Sequence, residues 1–135
     1  MLAREILLAL QALVVLILAV HDWLPLGRVN AVSHVRKRNT IVQIVSVTAL
    51  QTLPFAFGLA STLIVHAGPL PGWLRGWLWI SYGAMFLGQV QAWWLPFLIR
   101  PIRAARRRAS VTPNTLHLIL HLATLAALID LACVR

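Results

Sequence analysis

The sequence predicts an all-α transmembrane four-helix bundle, and three observations carry that prediction. Charged residues make up 11% of the chain while hydrophobic residues make up 60%. The apolar residues fall into four long runs, and most of the basic residues sit in two short segments between them.

The scarcity of charge identifies the solvent. A soluble domain carries about a quarter charged residues, because its whole surface must face water. This chain, with a mean hydropathy of +0.82, cannot cover such a surface, so lipid must surround most of it. Its 135 residues suffice for one domain, residues 1–135. The net charge of +9 would suggest a polyanionic partner in a soluble protein. Here the cations lie between apolar runs, where they act as topology signals, and nucleic acid is not expected as a partner.

The expected spans are residues 3–20, 41–67, 73–98 and 115–134. The first is short, and a cleaved signal peptide is its competitor. Arg4 and Glu5 cancel, so the start lacks a positive charge, and the run ends Leu18-Ala19-Val20-His21-Asp22 without a small-x-small cleavage site. A retained helix is expected. The second run holds Pro54, tolerable in lipid where neighbours re-satisfy the freed carbonyl, and ends at the tight turn Gly68-Pro69-Leu70-Pro71-Gly72. The third carries Trp73, Trp77 and Trp79 at one end and Trp93 and Trp94 at the other. A helix from Trp73 to Trp94 is about 31 Å long, close to the hydrocarbon thickness, and indoles prefer the headgroup boundary. Pro96 and Pro101 close it. The fourth follows Val111-Thr112-Pro113-Asn114, with Thr112 or Asn114 as N-cap.

Orientation follows from the short basic segments. One contains Arg28, Arg36, Lys37 and Arg38; the other contains Arg100, Arg103, Arg106, Arg107 and Arg108. Only Arg4, Arg75 and Arg135 lie on the opposite side. Nine cations against three put both segments in the cytoplasm and both termini on the non-cytoplasmic side. Arg36, Lys37, Arg38, Arg103, Arg106, Arg107 and Arg108 are also expected to attract anionic headgroups, at about 1 kcal/mol per residue.

Polar residues at membrane depth are costly and therefore raise functional questions. His117 and His121, at i and i+4, share a helix face and could present two nitrogens to one metal, a face that Thr124 and Leu128 continue. His21 and Asp22 close the first span, Gln43 opens the second, and Gln89 and Gln91 precede Trp93. All should lie at one depth, where His, Asp and Gln could hold a metal, a haem, a quinone headgroup or a proton relay, or bond only to one another and to carbonyls. Asp130 lies opposite the histidines, with His66 a possible partner, for packing or for ion coupling. Thr48, Gln51 and Thr52 form a stripe suited to interhelical hydrogen bonds, worth about 0.6 kcal/mol each. Cys133, the lone cysteine, rules out an intrachain disulfide and reads as a small apolar filler.

Ala92-Trp93-Trp94-Leu95-Pro96 closing one span, and Pro113-Asn114-Thr115-Leu116-His117 through His121 opening the next, resemble small uncharacterised bacterial membrane proteins with four helices. The resemblance covers the last third of the chain, implies a bacterial inner-membrane location and supplies no activity. Small multidrug exporters depend on a Glu embedded in their first span; here Glu5 lies at its edge.

With only Glu5, Asp22 and Asp130 as acids, a two-carboxylate mechanism has almost no material. The leading expectation is a non-enzymatic multi-pass protein, a subunit or accessory factor of a membrane assembly, either homo-oligomeric or with a membrane protein partner. A redox protein binding metal, haem or quinone through His117, His121 and His21 is the first alternative. A small oligomeric transporter or channel is the second.

Overall fold

A computed structural model of the protein describes residues 2–26, 29, 40–65, 68–99 and 115–133. All the described regular structure is helical: α1 (Leu2–Val20), α2 (Ile41–Ile64), α3 (Gly72–Gln89), a π-helical turn (Val90–Trp94), α4 (Leu95–Leu98) and α5 (Thr115–Cys133). Three of these, α1, α2 and α5, are long and apolar enough to cross a membrane. α3 is not among them, because Arg75 and Gln89 lower the hydropathy of a helix only 18 residues long. The expected third run is nonetheless helical from Gly72 to Leu98, since Gln89, Val90, Trp94 and Leu95 all keep right-handed helical dihedrals.

The π-helical turn has a local cause. Pro96 has no N–H for the carbonyl four residues back, so the ladder loosens ahead of it. The Leu95 N–H reaches the Val90 carbonyl, five residues back. The second proline, Pro54, sits inside α2, and the helix runs through it as expected in lipid. α2 starts with a capping box: Thr40 Oγ1 accepts from the Gln43 N–H at 3.2 Å, and Gln43 Oε1 accepts from the Thr40 N–H at 2.9 Å.

α1 is the central element and packs most extensively on α5 and α2, while α3 packs on α5 and less on α2. Its buried positions, Leu7, Gln11, Val14 and Leu18, recur at i, i+4, i+7 and i+11, one stripe of a helix. That stripe meets Phe55 of α2, Leu74, Leu78 and Tyr82 of α3, and Leu120, Ala127 and Leu131 of α5. Outside the core, Leu50, Ile64 and Ile80 are each more than 70% exposed. Such apolar surface suits lipid and would be a liability in water.

The polar side chains mark three levels of the bundle. At one end Arg4 of α1 reaches the C-terminal turn of α2: Nη1 donates to Gly68 O at 2.8 Å, and Nη2 donates to Thr62 O at 3.1 Å and to Val65 O. In the middle Gln11 meets Tyr82. At the other end lie the residues that border the two basic segments.

Candidate functional site

α1 ends in a turn in which the His21 N–H still bonds Ile17 O at 2.8 Å and the Leu24 N–H bonds Val20 O at 2.9 Å. The turn holds the His21 ring against its own helix, with Nδ1 donating to Leu18 O at 2.9 Å. Nε2 lies 3.3 Å from Asp22 Oδ1, an ion pair when Nε2 also carries a proton. The second carboxylate oxygen, Oδ2, accepts from Thr48 Oγ1 at 3.1 Å and so ties the end of α1 to α2.

α5 supplies the other histidines. The His117 ring packs edge-on to His21, with centroids 5.6 Å apart, and lies 6.1 Å from His121. On its other side Trp93 is 4.3 Å away. Trp94 turns its indole to α5, and its Nε1–H donates to His121 Nδ1 at 3.0 Å. The π-helical turn helps here: widening the helix between Val90 and Trp94 lets neighbouring indoles reach successive turns of α5. One turn beyond His121, the Gln89 Nε2–H donates to Thr124 Oγ1 at 3.3 Å, and Thr124 Oγ1 donates to Leu120 O at 2.9 Å.

The structure thus brings together His21, Asp22, Gln89, His117 and His121 from the sequence expectation, and adds Trp93, Trp94, Thr48 and Thr124. Gln43 is not among them; it is exposed, with its side chain spent on the capping box. Of the Thr48, Gln51 and Thr52 stripe, Thr48 makes the interhelical bond to Asp22. Thr52 instead donates to Thr48 O within its own helix, at 2.6 Å. Asp130 lies near the far end of α5, and its Oδ2 is buried without a hydrogen-bond partner among the described residues. His66, Arg36, Lys37, Arg38, Arg103, Arg106, Arg107 and Arg108 lie outside the described residues.

Sequence reasoning expected Trp93 and Trp94 at the headgroup boundary without naming their contacts, and both are half-buried against α5 histidines. It missed Gln11, although a single amide inside the first apolar run was the available signal. It also missed the reach of Arg4 across to α2, which no local pattern announces.

Chemically, the cluster is an aromatic-walled group of hydrogen-bonding rings. Among the described residues no group of three or more His, Cys, Asp or Glu side chains is placed to hold a metal ion. The His121 Nδ1 lone pair is already committed to Trp94, and the His117 ring meets those of His21 and His121 edge-on.

No protein family, curated protein or solved structure matches this chain. The resemblance of its last third to small bacterial membrane proteins therefore gains no support from them.

Proposed function

We propose that this chain is a non-enzymatic multi-pass protein of the bacterial inner membrane that serves as a subunit or accessory factor of a membrane assembly. It crosses the bilayer four times: α1, α2, the continuous helical segment from Gly72 to Leu98, and α5. Both basic segments face the cytoplasm, where they meet anionic headgroups, and both termini face the other side. The distribution of the basic residues, nine of twelve in those two segments, supports this orientation.

The observation that carries the subunit reading is a groove of about 340 Å3 between α1 and α2. Its floor on α2 is Val45, Ala49, Thr52 and Ala56, at i, i+4, i+7 and i+11, with Ala19 and Trp23 of α1 as the facing wall. Helices associate in lipid through small residues that let backbones approach closely, and hydroxyls there add interhelical bonds. α2 is also the least covered of the three long apolar helices, with 17% of its most apolar stretch buried. The groove suits a transmembrane helix of a second subunit.

Purification in a mild detergent tests the reading. The protein should run as an oligomer or with a membrane partner, and Ala49→Trp, which fills the groove, should release it. A strictly monomeric, partner-free protein would remove the proposal. A reporter fused after Arg135 that behaved as cytoplasmic would remove the orientation.

A further inference from the structure

On α2, two hydroxyl residues line the groove against α1, Thr48 and Thr52, and both have their protons engaged inside the protein. Thr48 Oγ1–H donates to Asp22 Oδ2 at 3.1 Å, and Thr52 Oγ1–H donates to Thr48 O at 2.6 Å. A hydroxyl carries one proton and two lone pairs, so each threonine can now only accept. The two stand one turn apart on the same face of α2. Both residues are half-buried, so an occupant of the groove can reach them. The other α2 residues of the lining, Val45, Ala49, Leu53 and Ala56, are apolar. Behind Thr48 stands the Asp22 carboxylate, whose Oδ1 lies 3.3 Å from His21 Nε2. The polar character that α2 gives the groove is therefore that of an acceptor, backed by a negative charge.

We propose that the groove takes a transmembrane helix of a different chain, one that sets small residues and a hydrogen-bond-donating side chain against Thr48 and Thr52. This rests on the groove being a subunit contact and states which kind of subunit fits it. Small residues alone let many helices approach. The two threonines narrow the choice: a donor makes a bond there, whereas an acceptor-only group turns its lone pairs on theirs, which is unfavourable where no water intervenes. A second copy of this chain fits poorly for the same reason. A two-fold contact of α2 with α2 would bring Thr48 and Thr52 against the same pair, with acceptors on both sides and no proton between them. An amide or ammonium on another helix meets no such conflict, and its positive end also faces the Asp22 carboxylate.

The test uses the full chain in phosphatidylcholine vesicles and two synthetic transmembrane helices of leucine with an alanine seam. The probe helix carries one asparagine at its centre, the level of Thr52 within the 24 residues of α2. The control carries aspartate methyl ester there, which keeps the carbonyl and loses the N–H. Both bear a dansyl group, and energy transfer from the protein's tryptophans reads binding. The asparagine helix should bind about three- to tenfold more tightly, the worth of one interhelical hydrogen bond in lipid. Thr52→Val should remove that preference and leave the control's affinity unchanged, which separates a lost bond from the bulk of the ester methyl. Equal affinity for the two helices on the unaltered protein would overturn the donor requirement while leaving the groove a helix site. No saturable transfer from either would overturn the groove as a subunit contact as well. Ala49→Cys in a Cys133→Ala background tests the choice of a different chain: oxidation should leave it uncrosslinked, and a disulfide-linked dimer would set α2 against α2 and overturn that choice.

Discussion

Gln11 and Tyr82 meet at the centre of the bundle, where Gln11 Nε2 donates to Tyr82 Oη at 2.9 Å between two fully buried side chains. The bond joins α1 to α3, and Phe55 of α2 stacks on the same phenol ring with centroids 4.1 Å apart. An amide and a hydroxyl stabilise an apolar core only while they satisfy one another, and Gln11 Oε1 already lacks a partner among the described residues. Tyr82→Phe should therefore cost about 1–2 kcal/mol, because it strands the amide nitrogen as well. Gln11→Leu together with Tyr82→Phe should cost less than the sum of the two single changes. A double-mutant cycle on unfolding in mild detergent checks this; additive effects would show that the two groups do not communicate.

Gly58 owes its place to the same ring. A Cβ there would collide with the Tyr82 hydroxyl and come within 2.8 Å of Leu78 Cδ2. The phenol cannot withdraw, since Phe55 covers its face and Gln11 holds its oxygen. Gly58→Ala should thus destabilise by about 1–3 kcal/mol through overpacking. Gly76→Ala is the matched control, with nothing within 4 Å of its added methyl. It should be neutral or stabilise by up to about 1 kcal/mol, the helix-propensity difference. Equal melting temperatures for the two variants would refute the packing argument.

The difference between these glycines shows what the sequence could disclose. Apolar runs and basic segments predict helices, because length and hydropathy are local properties. The depth of His21, Asp22, Gln89, His117 and His121 followed from their distance along each run, so their meeting was legible. Which partners they chose was not. Trp94 finds His121 only after the π-helical turn re-aims it, and Arg4 finds Gly68 across the bundle. Gln43 was legible as a position near the start of its run, yet a capping box four residues long, Thr40 to Gln43, claimed its side chain. Those choices depend on helix rotation, which one residue of phase changes by about 100°.

Arg4 illustrates the same point at the opposite end. Beside Glu5 it reads as a cancelled charge, but its guanidinium donates to the carbonyls of Thr62, Val65 and Gly68. The last carbonyls of a helix have no partner of their own, and their partial negative charge favours a cation. Arg4→Ala should destabilise by about 1–3 kcal/mol. Arg4→Lys should recover less than half of that, since an ammonium cannot fork to separated oxygens. Thermal unfolding of the three proteins in one detergent supplies the comparison, and full recovery by lysine would reduce the role to charge alone.

The Trp94–His121 bond fixes which nitrogen of a buried ring carries its proton, and that can be read directly. The indole N–H, 3.0 Å from Nδ1, requires a lone pair there, so neutral His121 is held as the Nε2–H form. Trp94→Phe keeps an aromatic ring beside the imidazole but removes the donor, so nothing then opposes a proton on Nδ1. With 15N-labelled histidine, the unaltered protein should show a single tautomer at His121, assigned by its loss in His121→Phe. Trp94→Phe should give a mixture and lose about 1 kcal/mol of stability. A mixture already present in the unaltered protein would mean that the indole does not hold this ring.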